Sequence, residues 1–345
     1  MLLKEKDMAV TISDVATEAG VSKSTVSKVL NNWSTISPET VARVQDAIKK
    51  LNYVPNARAV CFARQTTQNI VYLTDLAQNT AYENPHMFDI MCGICQELTG
   101  KNYTLTLEDT SNDSFPGESA IRTINRKSAD GLLIHGSAIN EELASQLVEN
   151  NIPHIIIGHP EYESRLCWVD TNHSLAGEYA ATHMAECGYT DVIFVGGKRS
   201  DTISNQRLKG FKKGMNNHNL AVLSKQIIYT NATRQSAYEN TKLSLMEHVP
   251  HAIVCENNLL AIGVIKAIEE LNLHIPEDIA VLTFDRYPYS SIMDPVLTVV
   301  DINVFDMGVQ AGNMMIRKLE NPNLLIQSYT TLPLLIQGES TIKKS

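Results

Sequence analysis

The sequence predicts an all-α module at the N-terminus, followed by a larger body of two α/β subdomains with parallel sheets. Three observations carry this. At 345 residues the chain is too long for one small domain and suits two or three. The first sixty residues repeat apolar positions at helical spacing, with helix caps between the repeats. From Asn69 onward, strand-like and helix-like segments alternate in two rounds. Such alternation implies parallel sheets covered by helices.

Composition narrows the function classes. Charged residues make up 19% and hydrophobic residues 43%, as in ordinary globular chains. No apolar run approaches the roughly 18 residues of a membrane helix. The start, MLLKEKDMAV, lacks the apolar core of a signal peptide, so a cytoplasmic location is expected. Residues 1–67 hold nine Lys/Arg and six Asp/Glu, a net of +3, and the remainder holds twenty and thirty-two, a net of −12. A basic end on an acidic chain fits contact with a polyanion. Of six cysteines, Cys92 and Cys95 have CxxC spacing. No second pair or CxxH follows, so no zinc site is expected and both read as ordinary helix cysteines. No metal or cofactor is expected.

In the module, Thr11 precedes ISDVATEA, with Asp14 where a capping box usually has Glu or Gln. Ile12, Val15, Ala16 and Ala19 share one helix face, and Gly20 ends the helix. Ser22 caps a second helix, with Val26, Val29 and Leu30 on its apolar side. Its other side carries Lys23, Ser24, Ser27, Lys28 and Asn31, without a single acid. Ser37, Pro38 and Glu39 supply a cap, a first-turn proline and an early acid for a third helix through Val41, Val44, Ile48 and Leu51. Two short helices joined by a glycine-containing turn form a helix-turn-helix. A plain three-helix bundle has the same caps, so the pattern alone leaves both open.

The literal residues go further. TISDVATEAGVSKSTVSKVLNN, SPET and LNYVPNARA closely resemble the DNA-binding module of the lactose-repressor family of bacterial transcription regulators, and the resemblance continues along nearly the whole chain. It implies that the second helix enters the DNA major groove. Carried over residue by residue, base reading falls on Lys23, Ser24 and Lys28. Lysine donates to guanine, and a serine hydroxyl serves several bases. Ser22, Thr25, Ser27 and Asn31 fall to phosphates, and Thr11 joins the DNA-contacting set. One short helix reads few base pairs, so the implied partner is palindromic double-stranded operator DNA bound by a homodimer. The resemblance also implies a hinge helix in NARAVCFAR, formed only when two subunits pair on DNA, with Asn56, Ala59 and Phe62 against it. Phe62 stands where the family has a leucine wedged into the minor groove. A phenyl ring can still wedge between base steps, but the departure leaves the central step open.

In the body, NIVYLTD, YTLTLED, GLLIHG and HIIIGHP read as strands, with helices near 86–100, 118–128 and 140–150. DVIFVGG, QIIYT, AIVCE and IAVLTFD resume the pattern. Together with ENPHMF, RLKGF, CENNLLAIG and DPVLTVV, this half resembles periplasmic sugar-binding proteins, as the family's bodies do. The implied domains are 9–55 for the helix-turn-helix and 56–68 for the hinge and linker. The N-subdomain is then 69–166 plus 298–330, and the C-subdomain 167–297 plus 331–342.

The resemblance implies an effector cleft between the subdomains. Arg207, in RLKGF, matches the effector-binding arginine, and Asp285 the acceptor of sugar hydroxyls. Asn257 matches the first residue of the family's Asn-Asp pair, but Asn258 replaces the acid. The N-subdomain would contribute Asp75, with Pro85 and Phe88 as an apolar wall. His159 and Trp168 near the crossover are further candidates, although packing is their commoner role. The long LTDLAQNTAYE segment, IIIGHP and VVDI look like the maltose and oligosaccharide regulators, and Ala232 stands where many relatives place an aromatic residue. A sugar effector, an oligosaccharide or α-glucoside, is therefore expected. The expected function is repression of carbohydrate-utilisation genes, relieved when the sugar binds. The alternative is a corepressor, whether a small molecule or a carrier protein, that strengthens DNA binding. An enzyme is a remote alternative, because GxGxxG, GxxxxGK[ST] and GxSxG are all absent from the sequence.

Overall fold

The fold is taken from a computed structural model, in which residues 10–31, 33–55, 61, 66–77, 86–160, 162, 164–287, 293–324 and 327–342 are described. The chain divides into two compact units, Met1–Thr67 and Gln68–Ser345. Asn56, Ala59, Phe62 and Pro85 lie outside the described residues.

The first unit contains α1 (Ile12–Ala19), α2 (Lys23–Leu30) and α3 (Pro38–Lys50). Asp14 reaches back to accept from the Thr11 N–H and hydroxyl, both at 2.8 Å. The hydroxyl thus donates to the acid, and only the backward arm of the capping box forms. Gly20 ends α1 at φ +64°, a conformation that costs glycine little. The Ser22 hydroxyl accepts from the Thr25 N–H at 3.1 Å, and Ser37 does the same for Thr40. Val15, Ala16, Ala19, Val26, Val29, Val44 and Ala47 form the core. These small side chains let three short helices approach closely, which none could do stably alone.

In the body, one sheet of the described residues has the order β11-β5-β4-β3-β1-β2. Its strands are β1 (Asn69–Thr74), β2 (Thr104–Asp109), β3 (Gly131–His135), β4 (His154–Ile157), β5 (Trp168–Thr171) and β11 (Ser328–Thr331), paired in parallel. Period-2 alternation sends Ile70, Tyr72 and Leu133 to one face. There they meet α4 (His86–Thr99) and α11 (Val304–Glu320). Val71, Leu73, Leu132 and Ile134 face the other way, onto α5 (Glu118–Arg126) and α6 (Glu141–Glu149).

The second sheet has the order β12-β10-β9-β8-β6-β7. It comprises β6 (Val192–Gly196), β7 (Ile227–Tyr229), β8 (Ala252–Cys255), β9 (Ala280–Phe284), β10 (Thr298–Asp301) and the antiparallel β12 (Leu334–Ile336). α7 (His173–Glu186) and α8 (Thr202–Asn217) cover Phe194, Val254 and Leu282. α9 (Arg234–Glu247) and α10 (Asn258–Glu270) cover Ile193, Ile253 and Val281. Strands buried on both faces read as continuous apolar runs, which explains why VIFVG and AVLTF were legible.

Two crossovers fall later than the expected 167 and 297. β5 pairs with β4 and β11, so the first sheet extends to Thr171. β10 pairs with β9 and β12, so the second sheet keeps the chain to Asp301. In both cases the strand finishes its ladder before the chain leaves. Cys92 and Cys95 lie exposed on α4 as free thiols, and no metal-binding group of His, Cys, Asp and Glu occurs among the described residues. Among those residues, no helix is long and apolar enough to cross a membrane.

Candidate functional site: a DNA-reading face and an effector cleft

On α2, Lys23, Ser24 and Lys28 are exposed, while Val26 and Val29 are buried. The polar stripe therefore faces away from the module's core. Lys28 Nζ lies 5.6 Å from the centre of the Trp33 ring, itself 55% exposed. Other members of the expected set already have partners. The Ser22 hydroxyl caps α2 and touches the Ser24 hydroxyl at 2.7 Å and that of Thr25 at 2.9 Å. The Asn31 amide donates to the Ser27 carbonyl at 2.8 Å. The Thr11 hydroxyl is held by Asp14. The long, mobile-ended lysines are thus the groups best suited to reach a base edge.

In the body, Arg207 and Asp285 meet at the carboxyl end of the second sheet. Arg207 projects from α8 and is 3% exposed, and Asp285 follows β9 and is also 3% exposed. Arg207 Nη2 lies 3.2 Å from Asp285 Oδ1, and the guanidinium stacks 4.5 Å from the centre of the Phe284 ring. Arg207 Nη1 also donates to the Glu256 carbonyl. Burial pushes the Asp285 carboxyl up, but Arg207 and His86 outweigh it and hold the group well below the usual carboxylate range. Burial raises Glu256, whose Oε2 accepts from the Gly197 N–H at 2.7 Å. One donor of the fork remains unmet. Arg207 Nε is buried without a hydrogen-bond partner among the described residues. Such an orphan is costly unless a ligand or water satisfies it.

A cleft of about 690 Å³ reaches Gln206, the residue before Arg207, although neither Arg207 nor Asp285 lines it; its size is usual for small-molecule sites. Its walls come from both subdomains. His135 ends β3, Gly158 to Pro160 follow β4, and Asp170 lies on β5. Lys198, Ser200, Asp201 and Gln206 come from the loop before α8 and its first turns. His173, at the start of α7, also lines the cleft, and its Nδ1 is a second buried orphan. Its Nε2 lies 3.4 Å from Asp170 Oδ1. Burial raises the Asp170 carboxyl, but the His173 contact and two backbone N–H groups lower it overall.

The other expected residues are distributed unevenly. His159 lies on the cleft wall and stacks edge-on against Trp168 at 4.5 Å. Asn257 caps α10, accepting from the Leu260 N–H at 2.9 Å. The unexpected Asn258 is buried, and its amide donates to the carbonyls of Phe284 and Asp285. An aspartate could not donate there, so the substitution braces the Asp285 loop rather than only removing an acceptor. Asp75 is exposed and turns its carboxylate to the Ala77 N–H. Phe88 is 65% exposed and does not line the cleft. The helical phase of α4 explains this: Phe88 shares the exposed side with Cys92 and Cys95. His86, two residues earlier, reaches Asp285 instead, at 3.2 Å. Sequence reading missed His86, whose only signal was its place in the NPHMF landmark.

Comparison with known proteins gives the context. Residues 11–56 match the model "Bacterial regulatory proteins, lacI family", and residues 181–341 match "Periplasmic binding protein-like domain". The HTH-type transcriptional repressor PurR of Haemophilus influenzae is 30% identical over 97% of this chain and 98% of its own length. The chain belongs to the LacI family. This LacI-family protein is a DNA-binding transcriptional repressor with an effector-binding body, and the family is not enzymatic. PurR of Actinobacillus pleuropneumoniae is 29% identical over 90% of this chain and 91% of its own. The lac repressor dimer bound to operator and the anti-inducer ONPF superposes with a TM-score of 0.80 at 21% identity, covering 97% of this chain and 100% of that one. The regulator CelR in complex with cellobiose gives 0.71 at 21% identity, covering 96% and 99%. At that identity the likeness establishes the fold.

Proposed function

We propose that the chain binds palindromic operator DNA as a homodimer in the cytoplasm, and that a sugar entering the cleft releases it to allow carbohydrate-utilisation genes to be expressed. Lys23, Ser24 and Lys28 read bases. Thr11, Ser22, Thr25, Ser27 and Asn31 hold the phosphate register, with Asn56, Ala59 and Phe62 at the operator centre. The observation that carries the effector reading is the buried Arg207–Asp285 pair. It offers an acceptor for a hydroxyl and an unmet Nε donor at the strand ends, with Gln206 of the cleft wall one residue before Arg207. In this reading Asn257, His159 and Trp168 assist the pair, whereas Asp75 and Phe88 are exposed and do not line the cleft and Pro85 lies outside the described residues. The cellobiose bound by CelR, a neighbour in fold, supports a sugar, and the cleft offers hydroxyl partners in Ser137, Asn140, Asp170 and Gln206.

The effector acts by population shift. It stabilises one arrangement of the two subdomains, and only its differential affinity for the two arrangements moves the equilibrium. Selection of bound DNA from a random pool, repeated with a panel of disaccharides and α-glucosides, tests the reading. The expected result is a palindrome of roughly 14–18 base pairs, two half-sites within about two helical turns, retained less well with the cognate sugar. Tighter retention with the same compounds would make them corepressors instead. Recovery of single, non-palindromic sites would contradict the dimer.

A further inference from the structure

Asp285 is shared between two partners from different halves of the body. Arg207 comes from α8, on the same subdomain as Asp285 itself. The other partner, His86, is the first residue of α4, which packs on the first sheet. His86 Nε2 lies 3.2 Å from Asp285 Oδ2, and the Tyr287 hydroxyl lies 3.1 Å from the same nitrogen. The imidazole and the Tyr287 ring are also in contact, with centres 4.8 Å apart. All three side chains are largely buried: His86 is 17% exposed at its side chain, Asp285 4%, and Tyr287 is 6% exposed overall. A ring nitrogen thus meets the carboxylate edge while the imidazole ring lies tilted against an aromatic neighbour. A carbohydrate or other small polar ring offers a donor group and a flat face of that kind.

We propose that His86 is a cross-cleft latch that stands in for the effector on Asp285. It holds the two subdomains together without ligand, and it is the group that an incoming ligand must displace. The proposal rests on the reading of Arg207 and Asp285 as the effector site and adds a specificity rule. A ligand competes only if it brings its own donor to the Asp285 carboxylate and a face for Tyr287. A ligand that engages Arg207 alone leaves the latch in place.

The test uses full-length, ligand-free protein. Cys61, Cys92, Cys95 and Cys187 are changed to serine, and spin labels are attached at Glu142 in the first subdomain and Lys209 in the second. Both label sites are exposed. Dipolar spectroscopy then reports the separation. With the native residue at 86, a short separation should dominate. In His86→Ala its population relative to the long one should fall by at least about tenfold, the size of one hydrogen bond to a charged group. His86→Gln, which can still donate to the carboxylate, should recover part of it. Tyr287→Phe should fall between, because it leaves the Asp285 contact in place. An unchanged distribution in His86→Ala, or failure of glutamine to do better than alanine, overturns the latch. No ligand is added, so failure here leaves the effector-site reading standing, and failure of every sugar to bind leaves the latch result standing.

Discussion

Asp285 shows how much one residue can depend on its neighbours. It takes φ +71°, a left-handed conformation uncommon outside glycine, and the Asn258 amide grips its carbonyl. The carboxylate is buried against Arg207, so removing the cation leaves a charge without compensation. Arg207→Ala should therefore destabilise the body by about 3–5 kcal/mol in urea unfolding. A loss under about 1 kcal/mol would mean that the pair is solvated, as exposed ion pairs are. On the DNA-reading helix, Lys28→Ala should relax preference at one base pair of each half-site, at about 1–3 kcal/mol. Uniform weakening across all sequences would make Lys28 a phosphate contact. The residue types of this site were legible: an arginine fork, a carboxylate and a lysine-bearing helix face each suggest their own chemistry. Their partners were not. That Asn258 braces a loop, and that His86 rather than Phe88 turns inward, depends on helical phase and on contacts between residues 26 to about 200 positions apart.

At the scale of elements, the site depends on how closely helices approach. α7 and α8 meet through glycines. A Cβ on Gly177 would lie 1.9 Å from the Arg207 carbonyl oxygen, and one on Gly210 would lie 1.7 Å from that of Ser174. Both contacts are with backbone, which cannot rotate away. Gly210→Ala should push the helices apart and destabilise by about 1–3 kcal/mol or more. Because Arg207 lies on the displaced helix, ligand affinity should fall as well. Measured stability and affinity equal to the parent would show that the contact is slack. The glycine of RLKGF was visible as a landmark, but its reason is tertiary. Among strands, the buried runs of β6, β8 and β9 were plain in the sequence. β5 (WVDT) and β11 (SYTT) were not, because short segments mixing polar and apolar residues lack a period to detect. The missed β5 ladder accounts for the first late crossover, and the pairing of β10 with β9 and β12 accounts for the second.

Across the whole molecule, buried histidines set the response to acid. Burial lowers His135, His154 and His183 from 6.5. Between that value and their folded values, the unfolded chain binds more protons, so stability falls as pH drops through this window. Asp285 and Asp170 are depressed, so their contribution persists here and is lost only as pH falls below the ordinary 3.8. Glu256 is raised and works in the opposite sense, as one group against three. The urea midpoint of the body should therefore be lower at about pH 5.5 than at about pH 7.5. An unchanged midpoint would place the histidines in contact with water, and a higher one in acid would mean that Glu256 outweighs them. The two-unit plan and the two α/β rounds were legible, since composition and period both carry them. The mutual arrangement of side chains across the cleft was not, because it is written in neither.

The central claim is that cleft and operator are coupled through one two-state body. It is tested by titrating full-length protein with the cognate sugar in the absence and presence of saturating operator DNA. Linkage requires operator to weaken sugar binding by the same factor by which sugar weakens operator binding. Typical couplings of about 1–3 kcal/mol would make that factor about 5–150. Equal sugar affinity with and without operator would contradict the account.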